Sequence, residues 1–436
     1  MPLHCQTHGK IDKLLFYKKK SRKSLVVGKT SLKIIRCSVS CKMILPNNKL
    51  LQIPMYSAST VGIWPIISIK NQRMKKIYNI YSSILYYYYL EYIFRAYCQL
   101  FLLLTAVHLN VEEILGNLCI TLIYTVSLFR LKAFDTHEIK TLFSNIIKSE
   151  DFILHDSDPT VRQIYLSGVK INRIYHIMFF FNGWFVSLLY FLHPFFMDLS
   201  TVEINNTTIT LKTLPLSTWW PIDVQKNYWL AYCWNVCDGT LGSSFVINSD
   251  MLTFSLVVFA VTQLDILSYR LSQFKLIESG NKETFIGLIR QHQDIIAYVD
   301  TFNDGMKYVM LFDFLQSSVQ FATTMLQLFV MTVNFQNVFF VGQFLMTMVM
   351  RVAIYYFNGN KIIYKSQRLA TDLWNTDWYL HNEETKKLEF IFLLRAQKPL
   401  KFLIGPFGVM SLETFISILK ATYSYMMLFI NRGSRK

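Results

Sequence analysis

The sequence predicts an all-α integral membrane protein with seven transmembrane helices, a cytoplasmic N-terminus, an extracellular C-terminus and a helical cytoplasmic anchor region. Three observations carry this reading. The 436 residues are 52% apolar and 16% aromatic, and only 17% are charged, against roughly 25% in soluble domains. Several apolar runs reach the length of about 20 residues that a bilayer crossing needs. The charge is also one-sided. Residues 1–76 hold sixteen Lys and Arg against one acid, Asp12; taken from 44 basic and 28 acidic residues overall, this leaves 28 and 27 for the rest. A nucleic-acid partner is the reflex reading of such a tail, but no matching fold follows it. Retention of basic segments on the cytoplasmic side explains it better. The expected environment is therefore a lipid membrane, with no nucleic acid as partner.

Residues 1–76 form the basic cytoplasmic tail. Within it, residues 1–42, with the run Lys18-Lys19-Lys20-Ser21-Arg22-Lys23, read as disordered or as an extension from an over-long gene model, Met43 being a natural start. The first six spans occupy 77–363. The first, Ile77 to about Leu104, contains four consecutive tyrosines, 86–89, and an i,i+4 pair, Glu91 and Arg95, which at membrane depth must face protein or water. The second runs from about Ile114 to Phe134. Asp156, Asp158 and Pro159 mark a loop; two carboxylates before a proline read as turn formers rather than metal ligands. The third span is about Ile174 to Phe196.

The outer loop 198–227 carries two overlapping sequons, at Asn205 and Asn206, on the side that the charge rule assigns as outside, so both are candidate glycosylation sites. Trp219, Trp220 and Trp229 fit an aromatic belt. The fourth span lies within Tyr228 to Tyr269, too long for one crossing, so part of it projects beyond the bilayer. A charged helical segment, 271–303, follows, with His292 on a packing face. The fifth span is about Met306 to Val333 and the sixth about Val338 to Ile363, closed by Asn358-Gly359-Asn360. Residues 364–402 form the cytoplasmic anchor. Pro399, Gly405, Pro406 and Gly408 then break the chain before the seventh span, within 403–431. The seven cysteines are scattered, with neither the spacing nor the histidine companions of a zinc site; for Cys233 and Cys237, four apart on one helix face, the geometry disfavours a bridge within that helix. No cofactor and no catalytic constellation is expected, and the chain does not read as an enzyme.

In the last span Thr414, Ser417, Ala421, Ser424 and Leu428 share one helical face. A small, polar stripe has two readings: close helix packing, or a face lining water, with Leu428 as a dewetting constriction. Glu413 likewise either collects cations at a pore mouth or pairs with Lys420.

Arg395-Ala396-Gln397-Lys398-Pro399, Ser411-Leu412-Glu413-Thr414-Phe415 and Ile418-Leu419-Lys420-Ala421-Thr422-Tyr423-Ser424-Tyr425 resemble the C-terminal end of insect odorant receptors. Val261-Thr262-Gln263-Leu264-Asp265-Ile266-Leu267-Ser268 is similar to that family's end of the fourth helix. The resemblance covers about 228–431. It implies a multi-pass plasma-membrane protein, the ligand-specific subunit of an odorant-gated, non-selective cation channel in olfactory sensory neurons. It implies a hetero-oligomer, a tetramer, with the odorant receptor co-receptor, a small volatile organic ligand, and a pore lined by Thr414, Ser417, Ala421, Ser424 and Leu428. The pocket would lie in the outer halves of the second to sixth spans, with Trp184, Tyr190, Phe191, Tyr232 and Phe344 as candidates by type and depth. The related gustatory receptors fit less well, because Phe429 and Ile430 stand where Gln-Phe is expected. A G-protein-coupled receptor would need an outside N-terminus, against the charge bias. A transporter would show paired broken helices.

Overall fold

Seven long helices dominate the computed structural model, which describes residues 49–63, 72–106, 111–196, 200–204, 207–274, 282–330, 335–406 and 408–433. They are α2 (Gln72–Thr105), α3 (Val111–Phe134), α5 (Pro159–Phe196), α6 (Tyr228–Phe274), α7 (Lys282–Val330), α8 (Phe335–Trp374) and α10 (Leu412–Gly433). The shorter helices are α1 (Gln52–Thr60), α4 (His137–Leu154) and α9 (Glu383–Ala396). Two antiparallel hairpins complete the described elements: β1 (Ser200–Ile204) with β2 (Thr207–Leu211), and β3 (Leu403–Ile404) with β4 (Gly408–Val409). Residues 1–42 and the sequons Asn205 and Asn206 lie outside the described residues.

Among the described residues, stretches of α3, α5, α6 and α8 are long and apolar enough to cross a membrane by length and composition alone. Tyrosine is less hydrophobic than the aliphatic residues and favours interfaces; the 86–89 run sits within α2. Of those four tyrosines only Tyr89 is buried, in a cluster with Tyr92, Tyr124 and Phe245.

The helices run longer than the apolar stretches. The charged segment before the fifth span and that span itself merge into α7, one helix of 49 residues. At Asn358-Gly359-Asn360, where the sequence reading closes the sixth span, the helix itself runs on. Asn358 Nδ2 donates to the Ile354 carbonyl at 2.7 Å, satisfying its amide inside the helix, and α8 continues to Trp374. An amphipathic helix has no physical reason to stop where the bilayer stops.

The most enclosed helix is α6. Phe254, Leu256, Val257, Val258, Phe259 and Ala260 are all buried, and so are Asn248, Ser249, Asp250, Thr253 and Ser255. Its hydroxyls return to the helix's own carbonyls: Ser244 to Thr240, Thr253 to Ser249, Ser255 to Met251 and Thr262 to Val258, at 2.7–3.0 Å. Small polar residues satisfied in this way permit close packing away from water. Around α6 stand α5, α8, α7 and α3.

Beyond one end of the bundle, α4 and α9 pack against the extended ends of α6, α7 and α8. The apolar stripe of α4, Ile139, Leu142, Phe143 and Ile146, is fully buried. Asn382 caps α9 through the Thr385 amide at 2.8 Å, with Glu383 and Glu384 in the first turn and Arg395 in the last, as the helix dipole favours. After Pro399 the chain is stitched to its neighbours. Asn303 of α7 donates to the Lys401 carbonyl at 2.9 Å and accepts from the Leu403 amide at 2.8 Å. Ser366 of α8 accepts from the Leu400 amide at 2.9 Å. Gly405, at φ +60°, turns the β3–β4 hairpin in a conformation open to glycine, and its amide donates to the Lys307 carbonyl at 2.8 Å.

In this anchor His292 is buried with its ring 4.8 Å from that of Phe392. Burial, reinforced by Arg395, pulls its pKa from 6.5 to about 4. A folded-state pKa below the unfolded one gives a contribution that is complete above the unfolded value and lost as pH falls towards the folded one. The window therefore runs from 6.5 down to about 4. His292→Phe keeps the ring contact and removes the titration. The melting temperature of the detergent-solubilised variant is expected to fall less steeply with acidification across that window than that of the parent; identical slopes would assign the acid sensitivity to other groups.

Candidate ligand pocket and buried charge network

An apolar cavity of about 100 Å3 lies among α3, α5, α6 and α8. Ile120, Ile123 and Tyr124 of α3 form one wall, and Phe179, Tyr190 and Phe191 of α5 another. Val246 and Ile247 of α6 and Phe344 and Met348 of α8 close it. Glycine makes the room: a Cβ at Gly239 would collide with the Phe191 ring and one at Gly242 with Tyr124. The cavity is somewhat smaller than the engineered space of about 150 Å3 that holds benzene in another protein, so it suits a small molecule with little polarity.

Most of its polar groups are already engaged. Ser187 Oγ donates to the Gly183 carbonyl at 3.0 Å and lies 2.8 Å from Ser243 Oγ. Thr347 Oγ donates to the Gln343 carbonyl at 3.0 Å. The other polar lining residues are Ser243, the tyrosines Tyr124 and Tyr190, and Arg351.

Arg351 belongs to a buried network of two cations and two anions. Its guanidinium donates to Asp313 at 2.7 Å, Ser317 at 2.8 Å and Gln316 at 3.1 Å. Arg130 of α3 donates to Asp313 at 2.7 Å and to Asp250 of α6 at 2.5 Å. The Tyr355 hydroxyl donates to Asp250 at 2.7 Å. Each of the four charged residues is at most 6% exposed. The formal charges cancel, which is what allows ions so far from water. A second cross-helix pair joins Arg95 of α2 to Asp238 of α6 at 2.6 Å, with Glu91 alongside at 2.5 Å and the Trp220 ring 4.8 Å from the guanidinium. Of the i,i+4 pair read from sequence, Arg95 thus faces protein, through a partner that local spacing does not reveal, while Glu91 is exposed.

Of the five pocket candidates from sequence, Tyr190, Phe191 and Phe344 line the cavity, and the Tyr190 and Phe344 rings meet at 5.8 Å. Trp184 and Tyr232 do not. Trp184 packs on Phe180 at 6.2 Å. Tyr232 packs on Phe195 and donates to the Phe191 carbonyl at 2.8 Å, so it braces the wall from behind. Sequence reading missed Tyr124 and Arg351. The signal for the latter was present: Arg130, Asp250, Asp313 and Arg351 are charges inside or beside apolar runs, where charge marks function or a partner.

A larger cavity of about 520 Å3 lies among α4, α6 and α7, lined by Lys148, Gln263, Arg270 and Asp294 as well as Phe259 and Tyr298. Arg270 is taken by Asp156 at 2.5 Å, and Asp158 accepts from the Tyr269 hydroxyl at 3.0 Å and the Thr160 amide at 2.8 Å. The Asp156–Asp158 loop therefore spends its carboxylates on the fold. No cluster of metal-ligating side chains occurs among the described residues.

On α10, Ile418 and Thr422 are buried against the bundle, whereas Ser417 and Ser424 are exposed and Thr414 and Ala421 are partly so. Ile416, Leu419, Tyr423 and Met427 form a separate exposed, apolar face. The stripe's hydroxyls bond along their own chain: Thr414 to Val409, Ser417 to Glu413 and Ser424 to Lys420. No ion pair joins Glu413 to Lys420 among the described residues. The side chain of Leu428 lies outside them.

A bundle of long helices, four of them with stretches long and apolar enough to cross a membrane, and an apolar cavity between those four define a multi-pass membrane protein with room for a small ligand. The model of the 7tm Odorant receptor family matches residues 110–423, and the chain belongs to that family. It is 28% identical over 179 residues to odorant receptor 10 of Aedes albopictus, covering 40% of this chain and 48% of that protein. It is 24% identical over 217 residues to odorant receptor 67c of Drosophila melanogaster, covering 48% and 53%. The chain thus spans about half the length of these curated relatives; with Or2 of Anopheles gambiae the match is 21% over 335 residues, 73% of this chain and 84% of that one. The fold matches the insect olfactory receptor OR5 from Machilis hrabei in complex with eugenol, with a TM-score of 0.72 at 15% identity over 88% of this chain and 98% of that one. OR5 solved on its own gives 0.71 at 15%, over 87% and 97%.

Asp250→Ala removes the carboxylate shared by Arg130 and Tyr355 and leaves Arg130 with half its counter-charge. Breaking a buried pair from one side costs about 3–5 kcal/mol. The expected readout is a large drop in melting temperature of the solubilised protein. The double variant Arg130→Met, Asp250→Leu leaves the neutral Arg351–Asp313 pair and is expected to recover part of the loss, a coupling that additive single effects would not produce.

Proposed function

We propose that this chain is the ligand-specific subunit of a heteromeric, odorant-gated, non-selective cation channel in the plasma membrane of olfactory sensory neurons. The observation that carries the reading is the aromatic and apolar cavity among α3, α5, α6 and α8 in a member of the odorant receptor family. Such a site takes small volatile organic molecules, and an apolar lining with few polar groups is the usual form of a small-molecule pocket. Tyr190, Phe191 and Phe344 hold the ligand, with Tyr124 opposite them; Tyr232 and Trp184 support the wall.

The partner is the odorant receptor co-receptor, in a tetramer. The N-terminus is cytoplasmic and the C-terminus extracellular, which puts the β1–β2 hairpin, with Asn205 and Asn206 as glycosylation sites, outside and the α4–α9 end inside. The anchor, from the extended ends of α6, α7 and α8 through α9, supplies most subunit contacts. The Thr414, Ser417, Ala421, Ser424 and Leu428 stripe faces the pore axis. Its support is the arrangement of α10: one face is buried, a second is apolar, and on the small, hydroxyl-bearing face Ser417 and Ser424 are exposed and Thr414 and Ala421 partly so. Ligand binding favours one arrangement of the helices by differential affinity.

Two recordings test this. Whole-cell current under a panel of volatiles, with G-protein signalling blocked, is expected only in cells that also express the co-receptor; a response that requires G-proteins would overturn the mechanism and the topology together. Leu428→Ala, in the same cells, is expected to raise basal current or alter gating; unchanged gating and permeation would remove Leu428 from the pore.

A further inference from the structure

Of the described residues that line the cavity, Leu216 alone is carried by a loop. The others stand on α3, α5, α6 and α8, whereas Leu216 belongs to the connection between β2 and α6. It is buried in the cluster of Tyr89, Tyr92, Tyr124 and Phe245. It also seats in the notch left by Gly239: a Cβ there would come within 3.1 Å of Leu216 Cδ1 and 2.6 Å of the Phe191 ring. A buried loop backbone needs hydrogen-bond partners, and one side chain supplies both of those at Leu216. Asn235 of α6, itself fully buried, accepts from the Leu216 amide at 2.8 Å and donates to the Leu216 carbonyl at 3.1 Å. The same Nδ2 lies 3.2 Å from Thr218 Oγ1. The loop is tied on either side as well. The Thr213 carbonyl accepts from the Tyr228 hydroxyl at 3.1 Å and the Ser217 carbonyl from Asn117 at 2.7 Å, and the Trp219 amide donates to the Arg95 carbonyl at 3.2 Å.

We infer that Leu216 sets the length of the neutral, apolar ligand that the cavity accepts, and that Asn235 is the residue that positions it. The inference rests on the receptor reading above and adds a size limit to it. A cavity of about 100 Å3 leaves little slack, and Leu216 occupies space beside Phe191 that a longer ligand would need. The helical walls yield only if a packed helix moves. The loop wall is different: its apolar contact is one side chain, and what keeps that side chain in place is a set of hydrogen bonds to the loop backbone. A methylene too many against a fixed wall costs about tenfold in affinity. Against a wall free to recede it costs little. The grip of Asn235 on both backbone groups of Leu216 is therefore what makes the limit sharp.

The test uses the full chain with its co-receptor and two homologous series, the alkyl acetates from methyl to hexyl and the alkylbenzenes from toluene to butylbenzene; where both are silent, the homologues of whichever volatile evokes current take their place. On the parent chain potency is expected to rise with length and then break off. Potency that keeps rising through a whole series overturns the size limit. Leu216→Ala is expected to lower the half-maximal concentration of the first homologue beyond the break by about tenfold, and Leu216→Phe to bring the break at least one methylene earlier. Loss of folding would lower the current for every homologue alike and move the break in neither direction. A break at the same length in both variants overturns the role of Leu216 and leaves the receptor reading intact. Should Leu216→Ala not reach the surface, Leu216→Val carries the same expectation at smaller size. Asn235→Ala is expected to flatten the break, bringing the potencies of the homologues on either side of it close to a ratio of one; an unchanged break overturns the assignment to Asn235. Asn235→Asp keeps the acceptor for the Leu216 amide and loses the donated bonds, so it is expected to flatten the break less, and it decides the assignment if Asn235→Ala is not expressed. Silence of the surface-expressed channel to every volatile overturns the receptor reading, and this inference with it.

Discussion

The buried network of Arg130, Asp250, Asp313 and Arg351 is the constraint around which the helix bundle is arranged. It ties α3, α6, α7 and α8 at a single level. Each ion is held by more than one partner, and Tyr355, Ser317 and Gln316 satisfy much of the remaining demand. Ions this deep have few alternatives: any relative shift of the four helices that parts a cation from its carboxylate strands a charge away from water. Apolar packing alone is more permissive, because one greasy contact replaces another at small cost. The network therefore fixes the register of the four helices in a way that their leucines and phenylalanines do not.

The cavity follows from that register. Arg351 is one of its lining residues, and the walls are the aromatic and aliphatic faces that the same helices present beside it. Glycines on α6 let Tyr124 and Phe191 approach its backbone, and Tyr232 holds the Phe191 carbonyl from behind. The second ion pair, Arg95 with Asp238, does for α2 and α6 what the larger network does for the other helices.

The helices and their order were legible in the sequence because apolar run length is a strong signal, and the C-terminal motifs pointed to the family before any coordinates. Helix ends were less legible. A run of apolar residues marks where lipid is, not where hydrogen bonding stops, so α7 and α8 continue past the residues that looked like boundaries. The lining of the candidate cavity was half legible. Aromatic type at the right depth picked out Tyr190, Phe191 and Phe344. It also picked Trp184 and Tyr232, which share type and depth but sit on other faces, and face depends on helix rotation. The network was visible only as four separate charged residues. Asp313 drew attention as an isolated carboxylate, yet its partners lie 183 and 38 residues away, and one sequence carries no signal for pairing at that distance.

A ligand in the cavity would act on more than the pocket. The helices that carry Asp313 and Arg351, α7 and α8, are also those that hold the segment leading into α10. Asn303 and Lys307 of α7 and Ser366 of α8 bind the backbone of residues 400–405, and the Tyr356 and Phe415 rings meet at 6.2 Å. The pocket and the last helix are thus attached to the same two rigid rods at different heights. A rotation or slide of α8 against α7 that improves the fit around a ligand must be accommodated by that joint as well, because packed helices transmit displacement rather than absorb it. Coupling of this kind needs two discrete arrangements of one element, each favoured differently by the ligand. The α7–α8 pair is the element with contacts to both sites, and the fixed charges of the network limit how many arrangements it can adopt.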